Sequence, residues 1–381
     1  MEKATHQQTK VHNRNLVLKT IFEHDSISRA EIARKTQLTR ATVSELVNEL
    51  LDEGIVEEVG TGASIGGKSP ILLSLVPDSR FLIGVNLAQD HFIASVVNLR
   101  GDIKETIQVP ALRHNPEETL ALVMSLLERL LAKNWRPIVG IGIGAPGLIH
   151  TRQGIVLRAV NLDWENFPLA HLLEERFHLP VSILNDSQAT AIGEFVYGKH
   201  ASRSNLVVVN IRHGIGAGIL INGRLFQGDG SAAGEIGHVV VRPEGDMCRC
   251  GKRGCLETIA SAGAVIRRSG VSSLSEALER WGDGDPALQS IVAEAGNALG
   301  EALAHLVGAL NIHCIVLTGE MTRFGETWLE NVRQSMQKAA FHPLVQDTCL
   351  EIGSLDYRAC ILGAAAFMVL ENYDLLFLQE H

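Results

Sequence analysis

The stretch from Gly234 to Glu257 constrains this chain more than any other. Gly234-Glu-Ile-Gly-His238 is followed by Cys248-Arg-Cys250-Gly-Lys-Arg-Gly-Cys255-Leu-Glu257. One imidazole and three thiolates supply four soft or borderline ligands, the tetrahedral complement of a closed structural zinc site. The glycines between the cysteines permit the tight turns that bring the sulfurs together. Any fold must therefore deliver His238, Cys248, Cys250 and Cys255 to one point, and one structural zinc per chain is the expected cofactor. A catalytic zinc is disfavoured, since four protein ligands leave no open coordination position. The chain has six cysteines, too few for a disulfide scaffold of 381 residues, and the clustering of three of them favours metal over disulfide in a reducing compartment.

A chain of this length with 46% apolar side chains buries a sizeable core and exceeds what one domain usually holds. A net charge of −9 argues against a protein that coats nucleic acid or anionic membrane with its whole surface, so any DNA contact must be local. No apolar run reaches membrane-spanning length, and the first residues lack the apolar stretch of a signal peptide. The expectation is a cytoplasmic protein with no membrane partner.

Residues 9–51 have helical periodicity in segments that suit three helices. The middle one opens with Ser28-Arg-Ala-Glu31, a capping box in which the Ser28 hydroxyl accepts from an early N–H and the Glu31 carboxylate reaches back. The third is expected to start at Thr39, to carry Val43, Leu46, Val47, Leu50 and Leu51 on one face, and to stop at Gly54. Two short apolar runs, Ile55–Val59 and Ile71–Leu75, flank a glycine-rich loop and predict a wing. Residues 1–44 carry eight Lys/Arg against four Asp/Glu, whereas residues 45–60 carry six acids and no base, so the basic side is the helix-turn-helix side. In such a motif the second helix of the pair lies in the major groove with its first residues at base edges. Thr39, Arg40, Thr42 and Ser44 suit that position, while Arg29 and Lys68 are candidates for phosphate or minor-groove contact. The same helix pattern also serves protein-interaction modules; the wing and the polar, basic edge favour double-stranded DNA.

Beyond a boundary near Val76-Pro77-Asp78, which divides the chain into 1–76 and 77–381, strand and helix signals alternate and predict an α/β body. Buried strands are expected at Phe81–Leu87, Ile138–Ile143, Val181–Leu184, Leu206–Ile211 and Cys314–Leu317, with helices between them. Asn185-Asp186 follows one of these strands, where ligands bind in such folds, although an Asn-Asp pair also serves as a plain helix cap. No internal repeat is visible.

These segments together resemble the ROK family of repressors, open reading frames and sugar kinases over residues 78–381. The resemblance implies an actin/hexokinase-like two-lobed body. With the helix-turn-helix it is similar to the ROK repressors, above all the xylose-repressor branch, through Gly66-Gly-Lys-Ser-Pro70 and Ala233-Gly-Glu-Ile-Gly-His238. It implies that Asn185 and Asp186 hydrogen-bond a sugar, with Glu235, His238 and Glu257 as further sugar ligands. His238 would then serve both metal and sugar. Gly144-Ala-Pro-Gly147 and Asn161 match loops that close over the sugar. Carboxylates and amides suit vicinal hydroxyls, because a missing partner leaves a buried polar group unpaired.

Three departures separate this chain from the kinase members of the family. Asn86-Leu-Ala-Gln-Asp90 stands where they have Asp-x-Gly-Gly-Thr, Arg212-His-Gly214 where they have Gly-Thr-Gly, and Thr318-Gly319 where a Gly-Gly lies near adenosine. The carboxylate and the glycine turn that cradle phosphate are missing from the first of these. The expectation is thus a non-enzymatic homodimer or homotetramer that binds a palindromic operator and releases it when a sugar closes the lobes. Xylose is the first candidate and glucose the second, followed by other aldoses, N-acetylated sugars and sugar phosphates. An active sugar kinase with an accessory DNA-binding domain is the rival reading, and regulation by a protein partner is a third.

Overall fold

A computed structural model describes residues 6–63, 69–111, 115–198, 200 and 203–377. The head consists of α1 (His6–Phe22), a two-residue strand β1 (Ile27–Ser28), α2 (Arg29–Thr36), α3 (Arg40–Asp52), β2 (Val56–Thr61) and β3 (Ile71–Leu75). The capping box forms as expected: the Ser28 hydroxyl accepts from Glu31 N at 3.3 Å, and the Glu31 carboxylate accepts from Ser28 N at 3.0 Å. Thr39 precedes the third helix instead of opening it. Its backbone is extended, and its hydroxyl accepts from Thr42 N at 3.2 Å, which satisfies one of the unpaired N–H groups of the first turn. The wing has three strands in the order β1-β3-β2, one more than expected, because a two-residue strand has no periodicity to detect. Val17, Leu18, Ile21, Ile32, Val43, Leu46, Val47 and Leu50 are buried together between the helices.

The body has two lobes, each built on a five-stranded sheet. In the first lobe a meander of β4 (Phe81–Leu87), β5 (His91–Asn98) and β6 (Ile103–Pro110) is followed by α4 (Pro116–Leu131), β7 (Ile138–Ala145), the small sheet β8 (Leu148–His150), β9 (Ile155–Ala159) and β10 (Trp164–Phe167), then α5 (Leu169–Phe177) and β11 (Val181–Asn185). Its sheet order is β11-β7-β4-β5-β6, with β4, β7 and β11 parallel. After α6 (Asp186–Val196) the second lobe repeats the plan with β12 (Leu206–Ile211), β13 (Ile215–Ile221) and β14 (Arg224–Phe226). Short helices α7 (Glu257–Ala260), α8 (Ala262–Ser269) and α9 (Leu274–Gly282) lead to α10 (Pro286–Leu310), β15 (Cys314–Thr318), α11 (Gly325–Ala339), α12 (His342–Val345), β16 (Cys349–Ile352) and α13 (Arg358–Glu371). That sheet runs β14-β13-β12-β15-β16, so each lobe is an antiparallel meander extended by two parallel strands. The repetition lies in topology and leaves no repeat in the sequence. All five expected strands are present, and their continuous apolar runs follow from burial on both faces.

Helices α6 and α13 pack on each other between the lobes, α6 against the second sheet and α13 against the first. The head rests on the first lobe. Val17, Leu18, Ile21 and Phe22 of α1 share one buried cluster with Leu82, Val97, Ile361, Leu362, Tyr373 and Leu376. Arg80, also buried, donates to the Leu376 carbonyl at 2.6 Å, and Arg100 donates to the carbonyls of Phe22 at 3.2 Å and His24 at 2.8 Å.

Candidate functional site

β11 delivers Asn185 and Asp186 to the interlobe boundary, where α6 begins. The Asn185 side-chain oxygen accepts from Ser187 N at 2.9 Å and Gln188 N at 3.3 Å, while its amide donates to the Gly147 carbonyl at 3.0 Å. Asn185 is therefore a helix cap that also ties down the loop after β7. Gly147 has φ 92°, and a Cβ there would lie 2.2 Å from the Arg158 carbonyl oxygen, so only glycine fits this turn. Desolvation raises the Asp186 carboxyl above its usual range, against the pull of the Arg212 charge.

The opposite wall comes from the second lobe. Burial pushes Glu235 up to about 7, and the nearby charges of Asp186 and Glu257 add to the shift. Glu257, at the start of α7, accepts from Ile215 N at 3.1 Å and from Arg249 at 3.0 Å. The same guanidinium donates to the Asn161 side-chain oxygen at 2.7 Å. Arg249 thus joins a residue of the first lobe to a residue of the second across a cleft of about 740 Å³ that Asn161, Arg249 and Glu257 line. The sequence reading missed Arg249; its only signal is a basic residue between two ligand cysteines. Gly147, Asn185, Asp186, Glu235, Glu257 and Asn161 are linked by these contacts and fields into one interlobe array of carboxylates and amides. Such an array is suited to a polyhydroxylated ligand.

His238 connects that wall to the cysteine loop. Its Nε2 lies 3.8 Å from a Glu235 carboxylate oxygen and its Nδ1 lies 3.5 Å from Cys248 Sγ. Cys250 and Cys255 sulfurs are 3.6 Å apart, and the ligand atoms of His238, Cys248, Cys250 and Cys255 all lie within 4.8 Å of one another. These four residues could hold a metal ion. In a tetrahedron with zinc–sulfur bonds of about 2.3 Å the ligand sulfurs stand about 3.8 Å apart, so the spacing fits zinc. Burial and the neighbouring thiols push the Cys255 thiol up to about 12, whereas the Lys252 backbone N–H holds the Cys250 thiol below its usual range.

In the head, Arg40 is exposed at the start of α3, and among the described residues its guanidinium has no hydrogen bond or ion pair. Thr42 shares a hydrogen bond of 2.9 Å with the Thr39 hydroxyl, and Ser44 donates to the Arg40 carbonyl at 2.9 Å. Thr39, Arg40, Thr42 and Ser44 therefore lie together at the start of α3, with all three hydroxyls engaged locally. Arg29 is paired with Glu58 of the wing at 3.0 Å, so a phosphate would have to compete with that carboxylate. Lys68 lies outside the described residues.

The ROK family pattern matches residues 82–371, and a winged helix-turn-helix DNA-binding pattern matches residues 12–57. The xylose repressor of Caldicellulosiruptor bescii is 33% identical, with 96% of this chain and 97% of that protein covered. The glucokinase of Halalkalibacterium halodurans is 31% identical over 74% of this chain and 93% of its own. Among solved structures, a ROK family transcriptional regulator homologous to the Escherichia coli MLC protein superposes with TM-score 0.84 at 25% identity, covering 97% of this chain and 98% of that one.

Proposed function

The chain belongs to the ROK family, and from that premise we propose that it is a sugar-responsive, DNA-binding transcriptional repressor and not a sugar kinase. Full-length similarity to a xylose repressor and to a ROK transcriptional regulator supports the repressor reading, whereas the glucokinase covers only 74% of this chain. We assign sugar hydroxyls to Asn185, Asp186, Glu235, His238, Glu257, Asn161 and the Gly147 turn. A structural zinc on His238, Cys248, Cys250 and Cys255 would fix the loop that carries Arg249 and Glu257. Arg29, Thr39, Arg40, Thr42, Ser44 and Lys68 are assigned to operator DNA. Xylose is the first candidate effector, glucose the second, and paired heads on a palindromic operator imply a homodimer or homotetramer.

The observation that carries this reading is the shared core of head and sugar lobe. The array starts at the first turn of α6, α6 packs along α13, and the turn after α13 rests on α1 through Tyr373 and Phe22, whose rings lie 6.3 Å apart edge to face. Lobe closure on a sugar would therefore change the support on which the DNA helices stand. A sugar that binds the closed form a few kcal/mol better than the open one suffices to shift the population.

The rival kinase reading requires phosphate cradles. The chain instead has a buried Asn86 at the end of β4, with its amide donor unpaired, and Arg212 after β12. The deciding experiment titrates the zinc-replete protein with a panel of sugars while following binding heat, operator affinity and ADP release from ATP. Xylose or glucose should bind and lower operator affinity with no sugar-dependent ADP. Sugar-dependent ADP release would replace this reading with the kinase.

A further inference from the structure

Arg249 holds two of the acceptors that the sugar reading assigns to hydroxyls. One guanidinium nitrogen donates to the Asn161 side-chain oxygen at 2.7 Å, and another donates to a Glu257 carboxylate oxygen at 3.0 Å. A guanidinium is a planar fork of donors, and its bond to a carboxylate is charge-assisted and about twice as strong as a neutral hydrogen bond. A sugar hydroxyl is a neutral donor. It gains both acceptors only where the fork lets go.

Two further observations indicate which partner yields. The other Glu257 oxygen accepts from Ile215 N at 3.1 Å and the side chain is only 12% exposed, so this carboxylate is fixed in the wall of the cleft. The Arg249 side chain is 45% exposed, and among the described residues its guanidinium bonds to Asn161 and Glu257 alone. A long arm of that kind can turn its charged end to water by rotation about its own stem while the loop stays in place. The lobes are also joined where the Gln227 amide donates to the Thr151 hydroxyl at 3.0 Å, a crossing that uses no acceptor of the array.

Resting on the sugar reading above, we propose that Arg249 is a latch that competes with the sugar: the guanidinium and the sugar hydroxyls take turns on Asn161 and Glu257, and the effector enters by displacing the arm. The protein then binds sugar more weakly than its array allows, because apparent affinity scales with the fraction of molecules whose latch is open. The response is thereby set to a higher sugar concentration. The latch is an ion pair open to solvent whereas xylose and glucose are neutral, so salt weakens the competitor and spares the ligand.

Isothermal titration of the full-length, zinc-replete protein with xylose and glucose, at low and high salt, tests the latch on wild type, Arg249→Ala, Thr151→Ala and Glu257→Gln. Arg249 is exposed, so its truncation does not threaten folding. Arg249→Ala should bind the sugar about three- to ten-fold more tightly than wild type, and the sugar concentration that half-releases the operator should fall by the same factor. Salt should tighten sugar binding in wild type and leave Arg249→Ala unchanged. Thr151→Ala removes a crossing between the lobes without freeing an acceptor of the array, and it should not tighten binding. Unchanged sugar affinity in Arg249→Ala would overturn the latch, and weaker affinity would make Arg249 a sugar ligand instead. Equal tightening in Thr151→Ala would also overturn it, since loosened lobes would then explain both variants. If wild type bound neither sugar, or Glu257→Gln bound as well as wild type, the sugar reading itself would fall and the latch with it, a result distinct from sugar binding that Arg249→Ala fails to tighten.

Discussion

Asp186 combines a raised carboxyl pKa with a position at the helix start that both lobes approach. A carboxylate whose pKa is raised in the fold is ionised at neutral pH at the expense of stability, since the unfolded chain ionises it more readily. Asp186→Asn removes that cost together with a hydroxyl acceptor. The sugar-free variant should therefore melt at or above the wild-type temperature at pH 7 while its sugar affinity falls by about 1–3 kcal/mol and operator binding is kept. Calorimetric melting with sugar titration checks both signs; a lower melting temperature with unchanged sugar affinity would mark a purely structural cap. Arg40 is the complementary case in the head, an exposed cation with no partner at the start of α3. Arg40→Ala should cost about 1–3 kcal/mol of operator affinity, concentrated on one base position, with sugar binding untouched. Binding to operators substituted one base pair at a time reads that pattern, and a uniform loss across sequences would reassign Arg40 to phosphate.

At the scale of elements, periodicity decided what the sequence disclosed. The strands at Phe81–Leu87 and Leu206–Ile211 are buried along their whole length and read as continuous apolar runs, while α3 shows its helical stripe directly. The meander strand Ile103–Pro110 escaped notice because most of its residues are at least partly exposed, and β8 to β10 are too short to carry a pattern. Asn185 and Asp186 were legible from their place after a strand. Glu235, Glu257, Asn161 and Gly147 were not: they come from loops 110 residues apart at the extremes, and only the family resemblance brought them together. The cysteine loop is the opposite case, since its ligand chemistry is local and needs no periodicity. Cys250→Ser removes one thiolate from a set of four, so zinc content should fall well below one per chain, and the loop bearing Arg249 and Glu257 should become protease-sensitive. Metal analysis of wild type prepared without chelator is the control; a wild-type protein far below one zinc per chain would refute the site.

In the proposed function, sugar binding and DNA binding would be coupled through the junction of head and first lobe. Head and first lobe share a hydrophobic cluster, Arg14 meets Asp374 at 2.8 Å, and Arg80 ties the C-terminal turn to β4. A junction packed this closely transmits displacement between discrete arrangements. Arg100 is the polar pin of that junction: it leaves the first lobe to donate to the carbonyls of Phe22, the last residue of α1, and of His24 just beyond it, and to Ser74 of the wing at 3.2 Å. Burial lowers its pKa, so desolvation has been accepted at this point, and the return is a fixed angle between α1 and the lobe. Arg100→Ala would leave those carbonyls to water at a cost of about 1–3 kcal/mol and let the head pivot on its apolar contacts alone. Neither the sugar array nor the α3 surface touches Arg100, so sugar affinity and sugar-free operator affinity should each stay within a few-fold of wild type. The quantity expected to change is the coupling between them, measured as the ratio of operator dissociation constants with and without saturating sugar. That ratio should shrink by about ten-fold if the pin carries most of a coupling of 1–3 kcal/mol. An unchanged ratio, with the melting temperature lowered as expected for a lost polar contact, would mean that lobe closure reaches DNA through the α13 packing or through a subunit interface and not through this side chain.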